Sequence, residues 1–162
     1  QPVIARVHGI ATAAGCQLVG ACDLAVASED ARFATSGINV GLFCSTPSVP
    51  VSRNIPRKQA MELLLTGEFI DANTALKWGL INRIAPLEKL DEEVQKLADA
   101  ILSKSSVAVF TGKKMFYKQL EKNMEDAYAF AGEIMACNMM AEDVNEGIDA
   151  FVKKRTAVWK GR

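Results

Sequence analysis

Few residues of this chain are able to do chemistry, and their spacing excludes more than it suggests. The one histidine, His8, sits before Gly9 at the end of the apolar run Val3-Ile4-Ala5-Arg6-Val7. Nothing beside it could complete a triad, so it reads as a turn histidine. Cys16, Cys22, Cys44 and Cys137 follow no metal-ligand spacing and form no CxxC pair. They read as reduced packing thiols, and no metal site is expected. Cys44, next to Ser45, has no evident base to activate it. Asp23, directly after Cys22, reads as a hydrogen-bonded structural carboxylate. Gln17 closes the small-residue stretch Ala13-Ala14-Gly15-Cys16. A glutamine can hydrogen-bond a water but cannot take its proton.

The elements that must position these residues are short at first and long later. Val3 to Val7 reads as a buried strand, Ala11 to Gly15 as a turn and Cys16 to Ala21 as a short helix. Leu24 to Ala27 and Arg32 to Ala34 read as two more strands, separated by turn residues. Gly41 to Pro56, with Pro47, Pro50 and Pro56 among Ser and Thr, reads as loop. Ala60, Leu63 and Leu64 then mark a helical stripe that Thr66-Gly67 ends. Asp71 is placed to cap a helix from Ala72 to Trp78 that stops at Gly79. A last strand is expected over Leu80 to Ile84. Beyond Pro86 the pattern is helical, at roughly 90–104, 106–121, 124–142 and 143–158. The division this implies is an α/β region, 1–86, and a helical region, 87–162.

With 162 residues, 49% of them apolar, the chain can bury a real core. Its 19 basic and 19 acidic residues cancel, which leaves no field to steer nucleic acid or an anionic membrane. No apolar run reaches membrane-spanning length. There is no initiator Met, and the first residues already read as strand, as expected of a piece of a longer protein.

Several segments, in order, resemble the enoyl-CoA hydratase/isomerase (crotonase) superfamily. They are Pro2-Val3-Ile4-Ala5, then Gly15-Cys16-Gln17-Leu18 with Cys22-Asp23-Leu24, then Ala60-Met61-Glu62-Leu63 through Leu65-Thr66-Gly67. Ala75 to Leu80 and Glu146 to Arg155 complete the set. The resemblance covers what corresponds to the second half of such a protein. It implies an α/β fold of the crotonase type, the later turns of a strand-strand-helix spiral followed by a helical oligomerisation arm.

The same resemblance implies where a site would lie. Ala14 matches a backbone donor that, with a second N–H from the first half, forms an oxyanion hole for the thioester oxygen. Gln17 and Gly37 match the two glutamates with which the family's hydratases add water across a double bond. Neither position here can titrate. Ser45 matches, within a residue, a place where some relatives carry an aspartate. Phe151 and Lys154 match residues near the CoA adenine and its phosphates, and an aromatic face and an ammonium suit that ligand. Tyr128, Phe130, Ala131, Ile134, Met135 and Met139 cover more than one helix face, which suits burial in the trimers or hexamers the family forms.

The reading that results is a mitochondrial, homo-oligomeric protein of fatty-acid metabolism. It would bind acyl-CoA thioesters without performing standard enoyl-CoA hydration. Two alternatives stand beside it: an enzyme working through the oxyanion hole and residues outside this chain, and a structural subunit assembling with active relatives. CoA thioester is expected as ligand or substrate, with no separate cofactor.

Overall fold

The computed structural model describes residues 1–162 as six short strands and eight helices. They divide into two compact units, Pro2–Leu97 and Ala98–Arg162, the latter joined by Gln1.

The first unit holds two three-stranded sheets. One has the order β1 (Ile4–Val7), β3 (Leu24–Ser28), β6 (Arg83–Ala85), all parallel, with Ile4 opposite Leu24 and Val26 opposite Arg83. The other has the order β2 (Ile10–Thr12), β4 (Arg32–Ala34), β5 (Ile70–Asp71), with β2 and β4 parallel and β5 antiparallel. Residues 1–12 therefore visit both sheets in turn, a strand-strand-helix step that α1 (Ala14–Ala21) completes. Because β1 and β3 pair in parallel, the chain between them must cross over, and α1 supplies the crossover. Val26, Ala27, Phe33 and Leu63 are almost wholly excluded from solvent at the centre.

Three expectations need correcting. Residues 11–12, expected in a turn, belong to β2, whose pairing with β4 no local pattern announces. The proline-rich stretch expected as loop contains helix α2, Ser45–Asn54. Pro47 lies in its first turn, where an N–H has no intrahelical partner to lose. Pro50 does remove one interior bond, and Asn54 offsets the loss by donating to the Gly20 and Pro50 carbonyls at 2.8 and 2.7 Å. The last strand starts at Arg83, because Leu80 and Ile81 bury their side chains ahead of it and Asn82 caps the Ala25 N–H at 2.8 Å.

Local chemistry sets the other boundaries. Helix α3 (Arg57–Thr66) ends at Gly67, and α4 (Ala72–Trp78) at Gly79, both glycines in the left-handed region. The Asp71 carboxylate accepts the Thr74 N–H at 2.7 Å, the N-cap the sequence foretold.

Helix α5 (Leu90–Leu102) passes from the first unit into the second. The second unit then carries α6 (Ser106–Gln119), α7 (Met124–Asn138) and α8 (Glu142–Val152). α7 and α8 are both shorter than expected. After Val152 the chain leaves the helix, with Lys154 in the left-handed region at φ 51°. Arg155 turns back onto α8, bonding Glu146 through both of its carboxylate oxygens at 2.6 and 2.9 Å and Asp149 at 2.6 Å. Trp159 donates to the Ser103 carbonyl at 2.8 Å, and Asp143, nearly buried, accepts from the Lys160 and Gly161 backbone and the Ser105 hydroxyl. No helix is long and apolar enough to cross a membrane.

Candidate functional site

The small-residue turn between β2 and α1 is the best-defined feature of the first unit. Ala13 donates its N–H to the Ala34 carbonyl at 3.0 Å, which fastens the turn to the end of β4. Its dihedrals, φ 49° and ψ −114°, are costly for a residue with a Cβ. That turn lets α1 start abruptly. Ala13 offers its carbonyl to the Gln17 N–H at 3.0 Å, so the N–H groups of Ala14, Gly15 and Cys16 begin the helix without intrahelical acceptors. Ala14 is exposed, and its N–H stands at the positive end of the α1 dipole. An anionic or partly anionic oxygen is the group such an N–H suits.

Gln17 follows one turn later and is half-buried. Gly37 lies in a tight 3₁₀ turn, Ser36–Val40, directly after β4. Its N–H donates to the Cys44 thiol at 3.3 Å, and its carbonyl accepts the Leu42 N–H at 2.9 Å. A Cβ at this position would come 2.6 Å from the Leu42 carbonyl oxygen and 2.8 Å from Cys44 Sγ. The 37–44 turn therefore fills the space a side chain at 37 would need, a crowding that no local pattern announces. Thr12, the last residue of β2, and Ser36 join hydroxyls at 2.7 Å across the same strand ends. Sequence reasoning missed this pair because its two halves are 24 residues apart.

The remaining sequence candidates fall into structural roles. Asp23 accepts the Val3 N–H at 2.6 Å and so fixes the start of β1. His8 is exposed; its Nδ1 accepts from Arg6 at 3.2 Å, and Arg6 also pairs with Asp91. Ser45 opens α2 with its hydroxyl turned back to the Phe43 carbonyl at 3.3 Å. Cys16 is fully buried, and that burial, with a smaller contribution from Cys44 nearby, pushes its thiol up to about 12. A thiol so placed stays protonated and unreactive. No group of histidines, cysteines and carboxylates is arranged to hold a metal.

In the second unit, Phe151 is 84% exposed at the end of α8, and Lys154 is exposed just beyond it. Phe151 lines an apolar groove of about 340 Å³ together with Val107, Ala108, Val144, Ile148 and Trp159. Beside it, Glu146 is held down at about 2, chiefly by the Arg155 guanidinium and then by the Val158 N–H.

The profile of the enoyl-CoA hydratase/isomerase family matches residues 1–162. The chain belongs to that family. A crystal structure of an enoyl-CoA hydratase from Mycobacterium smegmatis is 58% identical, with a TM-score of 0.96 over 98% of this chain and 62% of that one. The structure of human enoyl-CoA hydratase domain-containing protein 3 is 51% identical, with a TM-score of 0.94 and the same coverage, 98% and 62%. Rat enoyl-CoA hydratase domain-containing protein 3, mitochondrial, is 52% identical over 158 residues, which is 98% of this chain and 53% of that protein. The chain thus spans about half the length of the curated relatives it matches. The α/β crotonase-type fold expected from the sequence is the fold observed. The family acts on CoA thioesters and usually assembles as oligomers.

Proposed function

We propose that this protein binds acyl-CoA thioesters in a crotonase-type site and does not carry out standard enoyl-CoA hydration. The observation that carries this reading is the contrast around the α1 turn. The backbone donor of Ala14 is presented freely, whereas the two positions that would move protons hold Gln17 and Gly37. Gly37 is also closed to any side chain by Leu42 and Cys44. Such a site can polarise a thioester carbonyl, yet it has no group to deprotonate water or to protonate the α-carbon.

The exposed aromatic ring of Phe151, its apolar groove and the free ammonium of Lys154 support a place for the adenine end of CoA. Exposed Tyr128, Met135 and Met139 on and just after α7 support burial in a homotrimer or hexamer. Mitochondrial placement is supported by the vertebrate relatives, which are named mitochondrial, and a role in fatty-acid metabolism by the family's CoA-thioester chemistry.

A second reading is favoured by one finding: the 58% identical Mycobacterium structure is named an enoyl-CoA hydratase. In that reading the oxyanion hole and residues outside this chain carry the chemistry.

Both are tested on the full-length protein by calorimetric binding of crotonyl-CoA and by hydration followed through loss of the enoyl absorbance. Binding without turnover, with Gln17→Glu still far below hydratase rates because its second carboxylate is missing, is the expected result. Turnover by the unaltered protein would establish the second reading. If crotonyl-CoA fails to bind, neither survives, and a purely structural subunit is left.

A further inference from the structure

Helix α1 aims the Ala14 N–H, yet it has little hold of its own. Its eight residues are too few to be stable in isolation. Only Cys16, Val19 and Gly20 are buried, so small side chains form its inner face. At its start the Ala13 N–H is tied to the Ala34 carbonyl. At its end the Gly20 carbonyl lies in the last turn, where no N–H of the helix can reach it. Asn54, the last residue of α2, reaches it instead, donating at 2.8 Å.

This junction is close. α1 lies chiefly against α2. A Cβ on Gly20 would come 3.3 Å from the Pro50 Cβ and 3.4 Å from the Pro50 carbonyl carbon, so backbone meets backbone here. The Asn54 amide also donates to the Pro50 carbonyl at 2.7 Å, and one side chain thus ties the two helices together. α1 is held at Ala13 and at Gly20, roughly 10 Å apart along its axis. Helix N–H groups point along that axis. If the Gly20 end came away from α2, α1 would tilt about Ala13 and turn the Ala14 N–H through the same angle. A hydrogen bond weakens as its angle closes.

Resting on the acyl-CoA reading, we propose that Asn54 is a positioning residue. By holding the Gly20 carbonyl it aims the Ala14 N–H at the carbonyl oxygen of the bound thioester, and it touches no ligand itself.

The test is calorimetry on the full-length protein with butyryl-CoA and with S-butyl-CoA, the thioether that lacks the carbonyl oxygen. The unaltered protein binds the thioester about five- to tenfold more tightly, the range one hydrogen bond supplies. Asn54→Ala brings that ratio to within about twofold of parity and leaves S-butyl-CoA affinity nearly unchanged. Gly20→Ala, which wedges the same junction from the α1 side, does likewise, and it decides alone if Asn54→Ala does not fold. Asp71→Ala, which removes the cap of α4 instead, keeps the full ratio. A ratio unchanged in Asn54→Ala overturns the proposal, as does a collapse in Asp71→Ala. Equal weakening of both ligands does so too, since that marks a merely structural role. Equal affinity for the two ligands in the unaltered protein overturns it by leaving no donor to aim. Binding of neither ligand defeats the acyl-CoA reading itself, which separates the two failures.

Discussion

The Gly37 N–H points at the thiol of Cys44, 3.3 Å away, and this contact belongs to a turn that leaves no room for a side chain at position 37. With the Leu42 carbonyl 2.6 Å from the Cβ a larger residue would bring, Gly37→Ala must displace backbone. It is expected to destabilise the protein by about 1–3 kcal/mol, as overpacking does. Gly37→Glu should do so at least as strongly, without restoring hydration. Urea unfolding monitored by circular dichroism measures the loss; an unchanged midpoint for Gly37→Ala would show that the 37–44 turn yields freely.

Ala13 offers the opposite case. Its φ of 49° with ψ −114° is a conformation glycine adopts without cost. Ala13→Gly should therefore raise stability by about 1 kcal/mol, and Ala13→Val should lower it by more. The same denaturation experiment decides the sign. A destabilised Ala13→Gly would mean that the strain is relieved by packing around the Ala13 methyl.

Acid should loosen the end of the chain. Glu146 has a folded pKa of about 2, below the value near 4.3 of an unfolded glutamate, because Arg155 and the Val158 N–H stabilise its charge. The contribution to stability is thus complete above about pH 5 and fades as pH falls through 4 toward 2. Asp143, lowered chiefly by the Ser105 hydroxyl, adds to the same trend. Trp159 fluorescence in a Trp78→Phe background should follow this release, and Glu146→Gln should flatten the profile. A profile identical with and without Glu146 would remove the carboxylate as its cause.

The four thiols should differ sharply toward a disulfide reagent at pH 8. Cys137 is exposed and should react first, and Cys22, half-exposed, more slowly. Cys16, pushed up to about 12, and buried Cys44 should wait for unfolding. Cys137→Ser should delete the fast phase; a rapid reaction that persists would place a mobile opening over α1.

What could be read from the sequence was the chemistry that acts within a few residues. Asp71 and Gly79 bound α4 where expected, because a carboxylate accepting an N–H three residues on and a left-handed glycine are local events. The β2 strand was hidden because its partner β4 lies 22 positions ahead in register, Ile10 opposite Arg32. α2 was hidden because its prolines argue against a helix, and the argument is answered by Asn54 reaching the Gly20 carbonyl on α1. At the site, the types of Gln17 and Gly37 could be read directly. The crowding around Gly37 and the Thr12–Ser36 contact could not, since both arise only when β2, β4 and the following turn come together.

The two sheets share one further trait. β1 lies at the border of the first and β2 at the border of the second, so each has one side that pairs with no other strand of residues 1–162. Ile10 on β2 is 67% exposed and no proline blunts either strand. In a preparation of these 162 residues those strand sides are expected to be open to pairing with another extended segment. Such pairing is made by main-chain hydrogen bonds, so added salt, which screens charges, would do little against it, and a strand supplied in trans would compete for the same border.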